Sequence, residues 1–425
     1  MPSSTVIGLG REYIAAHQQD TMFTRGAWYR YHTGAWQVIN PLYIEKEIWA
    51  ILEEHEKGGD FKSTGNTHAS VVKYVKSQLF IPQEQVDSTE NENLVNMTNG
   101  VLKTNEGNLY PHNPGYYMTT QLPFDYDPNA CAPTWDYYLE SALVYPGSNR
   151  HDPSEACFLQ EAVGYSLSDS VAHEATFWCF GRGSNGKGVL FHVLENLSGT
   201  AFTALNFNTM KRDQYQLADL VGKRLALCSE SNVTDEPLED ALIKSLISGD
   251  LIKARQIYGE PFAFKSKAKL WWSMNHLPVV VDSSDGFFRR LNIIPFNQKF
   301  ESSKDLSLRE KLLAELPGIF NWAIEGWRRL QQRGHFSECK QIIEATRIYR
   351  RESNTIQMFI DERCEVKLGL LAAAAPLYDD YKTWSYQFNY RPYSYRSFKR
   401  GVENLGYYCV HQAQGNFYSG LKLKP

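Results

Sequence analysis

Residues 177–190 constrain the fold more than any other stretch. They read Phe-Trp-Cys-Phe, then Gly181-Arg182-Gly183-Ser184-Asn185-Gly186-Lys187-Gly188, then Val-Leu. An apolar run of strand length feeds a glycine-rich turn, and an apolar-periodic stretch, residues 189–197, follows. Strand, loop, helix is the context that a phosphate-cradling loop requires. Glycines let successive backbone N–H groups turn toward phosphate oxygens. A helix starting near Lys187 adds the positive end of its dipole, and Lys187 supplies a point charge for the β- and γ-phosphates. Gly188 stands where a Ser or Thr ordinarily contacts Mg²⁺, so a metal here leans on water, on the phosphates or on the hydroxyl of Ser184. The competing reading is a glycine-rich surface turn.

A chain of 425 residues has room for two or three domains. A net charge of −4 excludes a uniformly basic coat, so any nucleic-acid contact is local. The 25 Tyr and 22 Phe suit packing and also base stacking. Cys131, Cys157, Cys179, Cys228, Cys339, Cys364 and Cys409 have no paired spacing and read as reduced thiols. We expect no signal peptide and no membrane span, and hence the cytoplasm of a bacterial or host cell.

Residues 28–38 alternate as a β-hairpin, while 44–55 and 70–79 carry helical periodicity. Asn99-Gly100 and Glu106-Gly107-Asn108 mark turns between short strands, and five prolines from 111 to 133 break up the next stretch and argue against helix there. This is an α+β module, 1–133. Residues 135–143 and 154–167 read as a helical collar, 134–167. An α/β sheet over 168–334 follows, with strands at 224–228, 270–274 and 291–296, a helix at 237–248 and a basic hairpin at 251–269. Residues 306–330 are helical, interrupted at Pro317-Gly318. The tail, 335–425, carries helices at 353–363, 372–388 and 394–405 and two strands within 407–423, the order of a winged helix.

Four features beyond the loop carry chemistry. The strand Leu225-Ala-Leu-Cys228 ends at Ser229-Glu230, which places a carboxylate beside the phosphates, able to orient water or help hold Mg²⁺; the alternative is an acidic loop residue. Trp271-Trp272-Ser273-Met274-Asn275 is a strand ending in an amide that can aim at the γ-phosphate; the alternative is an Asn capping a turn. Arg289-Arg290 precede a strand and suit a reach across a subunit boundary; the alternative is a surface ion pair. A trans arginine is worth about 10³–10⁵ in rate in other NTPases. The hairpin carries Lys253, Arg255, Tyr258, Lys265, Lys267 and Lys269, with lysines to track phosphates and Tyr258 to stack on a base; the alternative is a solvated charged hairpin.

The order of these pieces resembles the superfamily-three helicases of the AAA+ class, most closely the phage and plasmid primase-helicases related to the poxvirus primase-helicase. The resemblance runs from Gly181 through Gly222–Glu230, Leu238–Lys244, Ser248–Arg255, Lys269–Pro278 and Phe288–Phe296. It covers about the central third of the chain. Residues 96–167 resemble the family's amino-terminal helicase-associated domain more loosely, and the tail matches in pattern only. The resemblance implies an AAA+-like P-loop ATPase core between an α+β N-terminal domain with a helical collar and a C-terminal winged-helix domain. It implies that Gly181, Gly183, Ser184, Asn185, Gly186, Lys187 and Gly188 bind ATP with Mg²⁺, that Glu230 is the Walker-B-type acid and metal ligand, and that Asn275 is the sensor. Arg290 matches the trans finger, with Arg289 as alternate, and the hairpin matches the DNA-tracking element. Arg396, Lys399 and Arg400 are the basic residues through which a winged domain would engage DNA or a partner.

The expected function is an ATP-dependent DNA helicase working as a ring, a hexamer, on single-stranded or forked DNA during phage, plasmid or other mobile-element replication. Asp125-Tyr126-Asp127 lies between prolines and reads as a turn, so the expectation is that a priming module is absent or on another chain, with a separate primase or polymerase as partner in the second case. Two rivals stand beside this expectation. One is an ATP-binding replication initiator or assembly protein with weak unwinding, for which Gly188 argues. The other is a monomeric small-molecule P-loop kinase, against which the paired arginines and basic hairpin argue.

Overall fold

The computed structural model describes residues 5–59, 62–88, 93–210, 213–229, 240–255, 261–278, 285–300, 305, 307–388, 390 and 392–425. The chain forms two compact units. One comprises Met1–Thr234, Ala241–His276 and Arg290–Ile342; the other comprises Asp235–Asp240, Leu277–Arg289 and Ile343–Pro425.

The first unit is built on five parallel strands. Their spatial order is Leu291–Pro295, Thr176–Phe180, Lys269–Met274, Leu225–Cys228, Phe202–Ala204, which in chain order is 5-1-4-3-2. The three inner strands are near-continuous apolar runs because the sheet is covered on both faces. Trp271 and Phe177, from neighbouring strands, pack with ring centroids 4.6 Å apart and planes tilted by 36°. The edge strand Phe202–Ala204 has no apolar run of its own, and nothing in its composition marked it as a strand; pairing with Leu225–Cys228 creates it.

The expected collar helices are Pro133–Ala142 and Pro153–Leu167, each with proline in its first turn. The second packs along Leu316–Arg333, where Pro317 opens a helix after a break at Glu315 rather than interrupting one. Buried Glu161 joins the two: it accepts bonds from Arg329 Nε and Arg333 Nη2, both 2.7 Å, and from Ser337 N. Burial opposes its charge, yet these donors hold its carboxyl below the usual range.

Ahead of the collar lie two small antiparallel sheets. The expected hairpin is Ala27–His32 with Ala35–Ile39, extended by Thr21–Thr24. Helices Val6–His17, Pro41–Lys57 and Gly65–Gln78 pack on it around Leu9, Tyr13, Ile48 and Val75. The second sheet is Leu94–Met97, Gly100–Lys103 and Asn108–Tyr110.

The second unit contains Thr355–Arg363, Ala374–Gln387 and Tyr395–Asn404 around Phe359, Tyr381 and Phe398. Its antiparallel sheet has the order Cys364–Ala373, Gly415–Leu423, Cys409–Gln412. The strand Cys364–Ala373 was not anticipated. Its alanine-rich end favours helix locally, but pairing with Gly415–Leu423 claims it up to Ala373, through a bulge between Val366 and Leu371.

Candidate nucleotide-binding site

The glycine-rich loop leaves the C-terminal edge of the strand Thr176–Phe180 and enters the helix Lys187–Ser198. The turn is pinned to the adjoining strand: Asn185 Nδ2 donates to Phe296 O at 3.2 Å, and Phe296 N donates to Phe180 O at 2.7 Å. Only glycine fits at 181, where a Cβ would lie 1.9 Å from Asn185 Nδ2 and 2.6 Å from Phe296 O. Gly186 caps the helix at φ 93°, a left-handed conformation, with no capping side chain, and its carbonyl accepts from Val189 N at 2.8 Å, so the helix opens directly at the loop with its positive dipole end.

Lys187 is 3% exposed and tightly held. Its ammonium donates to Gly181 O at 2.6 Å, Asn185 Oδ1 at 3.1 Å and Asn275 Oδ1 at 3.2 Å. Asn275 follows the strand Lys269–Met274, which lies beside Thr176–Phe180 in parallel. Two motifs separated by 88 residues therefore meet at one sheet edge. Three carbonyl-type acceptors around one ammonium make a ready position for a cation facing phosphates.

A trough of about 1500 Å³ opens over this edge, lined by Gly183, Ser184, Asn185, Lys187, Gly188 and Ser229 on one side. The collar contributes Tyr137 and Tyr138, and Tyr138 Oη donates to Gly186 O at 3.1 Å. Phe300 N donates to Ser184 O at 2.8 Å, and the helix Leu308–Ala314 adds Arg309 and Lys311 to the wall. Tyr137, Tyr138, Phe300, Arg309 and Lys311 escaped the sequence reading, because only folding carries them to the loop and no local motif marks them. Ser184, at φ 47°, lines the trough and keeps its hydroxyl available to a hydrated cation. Among the described residues no group of three or more His, Cys, Asp or Glu is placed to hold a metal. Glu230, the expected acid, lies outside the described residues.

Arg290 lies at the opposite edge. It immediately precedes the strand Leu291–Pro295, and its carbonyl accepts from Thr176 N at 2.8 Å, at the start of the loop-bearing strand. That strand has five residues, so the arginine is displaced from its own loop by roughly 16 Å along the sheet. Its guanidinium contacts Glu174 Oε2 at 2.6 Å and Ser248 Oγ at 3.0 Å. Arg289 is exposed and follows the short helix Asp285–Phe288 in the second unit.

The basic hairpin forms from Leu251–Arg255 and Pro261–Lys265. Lys253, Arg255 and Lys265 share its exposed face, while Ile252, Ala254 and Phe264 are buried on the other. Tyr258, at the expected tip, lies outside the described residues. Lys267 does not join that face. Its ammonium donates to Asp87 O and sits 3.7 Å from Asp169 Oδ2, and burial lowers its pKa. Asp169 also binds Arg224 Nε at 2.7 Å. Although burial opposes the charge of Asp169, Arg224 and Lys267 hold its carboxyl below the usual range. In the second unit, Arg396, Lys399 and Arg400 lie along one side of the helix Tyr395–Asn404, opposite buried Phe398 and Val402, and Lys399 reaches Glu403 at 3.8 Å.

Residues 18–144 match a family described as "D5 N terminal like", and residues 179–290 match a "Family of unknown function (DUF5906)". A protein of Acanthamoeba polyphaga mimivirus named "Putative helicase L207/L206" is 28% identical over 268 residues, 56% of this chain and 27% of that protein. The resemblance to the superfamily-three primase-helicases is thereby shown. The amino-terminal match, residues 18–144, lies largely within the expected module 1–133 and overlaps the looser resemblance read over residues 96–167. The DUF5906 match spans the loop, the hairpin and both arginines. The chain spans about a quarter of the mimivirus protein's length (27%). Two apo structures of the NrS-1 C-terminal region superpose with TM-scores of 0.53 and 0.52 at 11% identity, covering 98% and 99% of this chain and 98% and 100% of theirs. At that identity the likeness concerns the fold. Among the described residues no helix is long and apolar enough to cross a membrane.

Proposed function

We propose that the chain is an ATP-dependent DNA helicase that works as a ring in the replication of a mobile element, each ATP lying between two protomers. The observation that carries this reading is the split of the expected machinery between two edges of one sheet. Lys187 and Asn275 meet at the C-terminal edge, 3.2 Å apart, while Arg290 stands at the other. An arginine so displaced serves a neighbour's nucleotide better than its own, and a closed ring supplies such a neighbour to every protomer.

In this reading the residues from Gly181 to Gly188 cradle the phosphates and Asn275 senses the γ-phosphate. Arg290, with Arg289 as alternate, completes the adjoining site. Mg²⁺, when bound, neutralises phosphate charge; Ser184 and Glu230 are the residues that would hold its water shell. The exposed face of Lys253, Arg255 and Lys265, with Tyr258 at the tip, tracks single-stranded DNA. Residues 1–133, 134–167, 168–334 and 335–425 then act as N-terminal domain, collar, motor and winged-helix domain, the last engaging DNA or a partner through Arg396, Lys399 and Arg400. A primase or polymerase on another chain would supply primers. The name of the mimivirus relative supports the activity, and the two family matches support the module order.

The deciding experiment is ATP turnover on single-stranded DNA together with unwinding of a forked duplex. DNA-stimulated turnover and strand separation are expected. Gly188 favours a second reading, an ATP-binding initiator with slow hydrolysis; DNA and ATP binding with no unwinding would select it.

A further inference from the structure

Gly188 brings no hydroxyl to the start of the helix Lys187–Ser198, and a different residue stands beside it. The helix Leu308–Ala314 packs against both Lys187–Ser198 and Pro133–Ala142, anchored by Leu312, which is 0% exposed in the shared core. Leu308 and Leu312 lie one turn apart on the packed side, and Arg309 comes to the wall of the trough. A Cβ built on Gly188 would lie 3.7 Å from Arg309 Nη2. The guanidinium therefore borders the space that a Ser or Thr side chain would fill.

Among the described residues Arg309 has no hydrogen bond and no ion pair. Its neighbour Lys311 differs: its ammonium is 2.8 Å from Asp305 Oδ2. Hydrogen bonds from Lys311 and Ser307 bring the Asp305 carboxyl down to about 2, so that acid is already committed. Arg309 and Lys187 thus face one trough as two cations, at the positive end of one helix dipole. An anion entering the trough would be attracted by both. A guanidinium presents a planar fork of donors that matches phosphate oxygens two at a time.

We infer that Arg309 is a nucleotide-phosphate ligand, contributed by the same protomer as Lys187, that takes the place left by the missing hydroxyl at position 188. It supplies directly part of the charge neutralisation that a hydroxyl-anchored Mg²⁺ gives in loops ending in Lys-Ser or Lys-Thr. Nucleotide binding then depends weakly on the metal and strongly on Arg309. The inference rests on the nucleotide reading of the loop.

Titration of the full chain with a fluorescent, non-hydrolysable ATP analogue, in Mg²⁺ and in EDTA, tests it. Wild type is expected to change affinity by less than about threefold between the two buffers, and Arg309→Ala to bind about tenfold more weakly in both. Arg309→Lys, which keeps charge but not the fork, should fall between them. Gly188→Ser combined with Arg309→Ala should recover binding in Mg²⁺ and lose it in EDTA. Arg309→Ala binding within twofold of wild type, while Lys187→Ala loses binding, would overturn the inference and leave the loop's role standing. Wild-type affinity for Lys187→Ala would remove both. Arg309 is exposed, so its replacement is expected to fold, and unchanged circular dichroism melting checks that.

Discussion

Lys187 is a buried cation held by dipoles of its own loop and of the neighbouring strand's end. Its ammonium donates to Gly181 O, Asn185 Oδ1 and Asn275 Oδ1, which fix its charge at the turn where phosphates would sit. Lys187→Ala is expected to weaken ATP-analogue binding at least about a hundredfold, and equilibrium titration reads it directly. Arg290 belongs to a different argument. Parked on Glu174 at 2.6 Å, it lies away from its own loop. Arg290→Ala is expected to bind nucleotide normally and to lose turnover by about 10³ or more. Mixed with Lys187→Ala protein it should regain part of that turnover at hybrid interfaces, and no rescue at any ratio would argue against a trans finger. At this scale the phosphate loop was legible because its residue types follow from backbone geometry alone. Tyr138 and Arg309 were not, since both reach the trough from separate helices.

Among the elements, the hairpin is the clearest gain from structure. The sequence reading counted six cations or aromatics on it without dividing them between faces. Register does so: Leu251 pairs with Lys265 and Lys253 with Ala263, leaving Lys253, Arg255 and Lys265 outward. Lys267, two residues past the hairpin's end, is spent on Asp87 and Asp169. Lys253→Ala with Lys265→Ala is therefore expected to lower the salt slope of single-stranded DNA binding by about 1.4, at roughly 0.7 per phosphate contact, with basal ATP turnover unchanged. An unaltered slope in a salt titration would assign these lysines to a solvated face. Strong helical periodicity, as in Leu316–Arg333, was legible. The strands Phe202–Ala204 and Cys364–Ala373 were not, because each owes its conformation to a partner distant in sequence.

For the whole molecule, buried charge sets the response to pH. Glu155 is 0% exposed, and burial, aided by nearby Asp152, pushes its carboxyl well above the usual range; Gln341 Nε2 is 3.5 Å away. The native chain thus keeps a proton that the unfolded chain releases, so stability falls as pH rises past the ordinary carboxylate range. Glu155→Gln removes that loss. Its thermal midpoint is expected to exceed wild type by about 2–4 °C at pH 8 and to match it near pH 4. A difference independent of pH would place the effect in packing instead. Asp169 works in the opposite sense: its lowered pKa means that its contribution fades as pH falls, and with it the tie among Arg224, Lys267 and the hairpin's base.

Taken alone, the order of residues determined which local shapes were available: a glycine turn between strand and helix, amphipathic helices, apolar strands ending in Asn or an acid. Those follow from steric and hydrophobic rules that act within about a dozen residues. Only the tertiary structure decided which side chains share a space. It set Asn275 against Lys187, carried Arg309 to the gap at Gly188, withdrew Lys267 into an ion network and put Arg290 a strand's length from its own loop. Each of these depends on strand order and helix packing, which bring together residues that no sequence window contains.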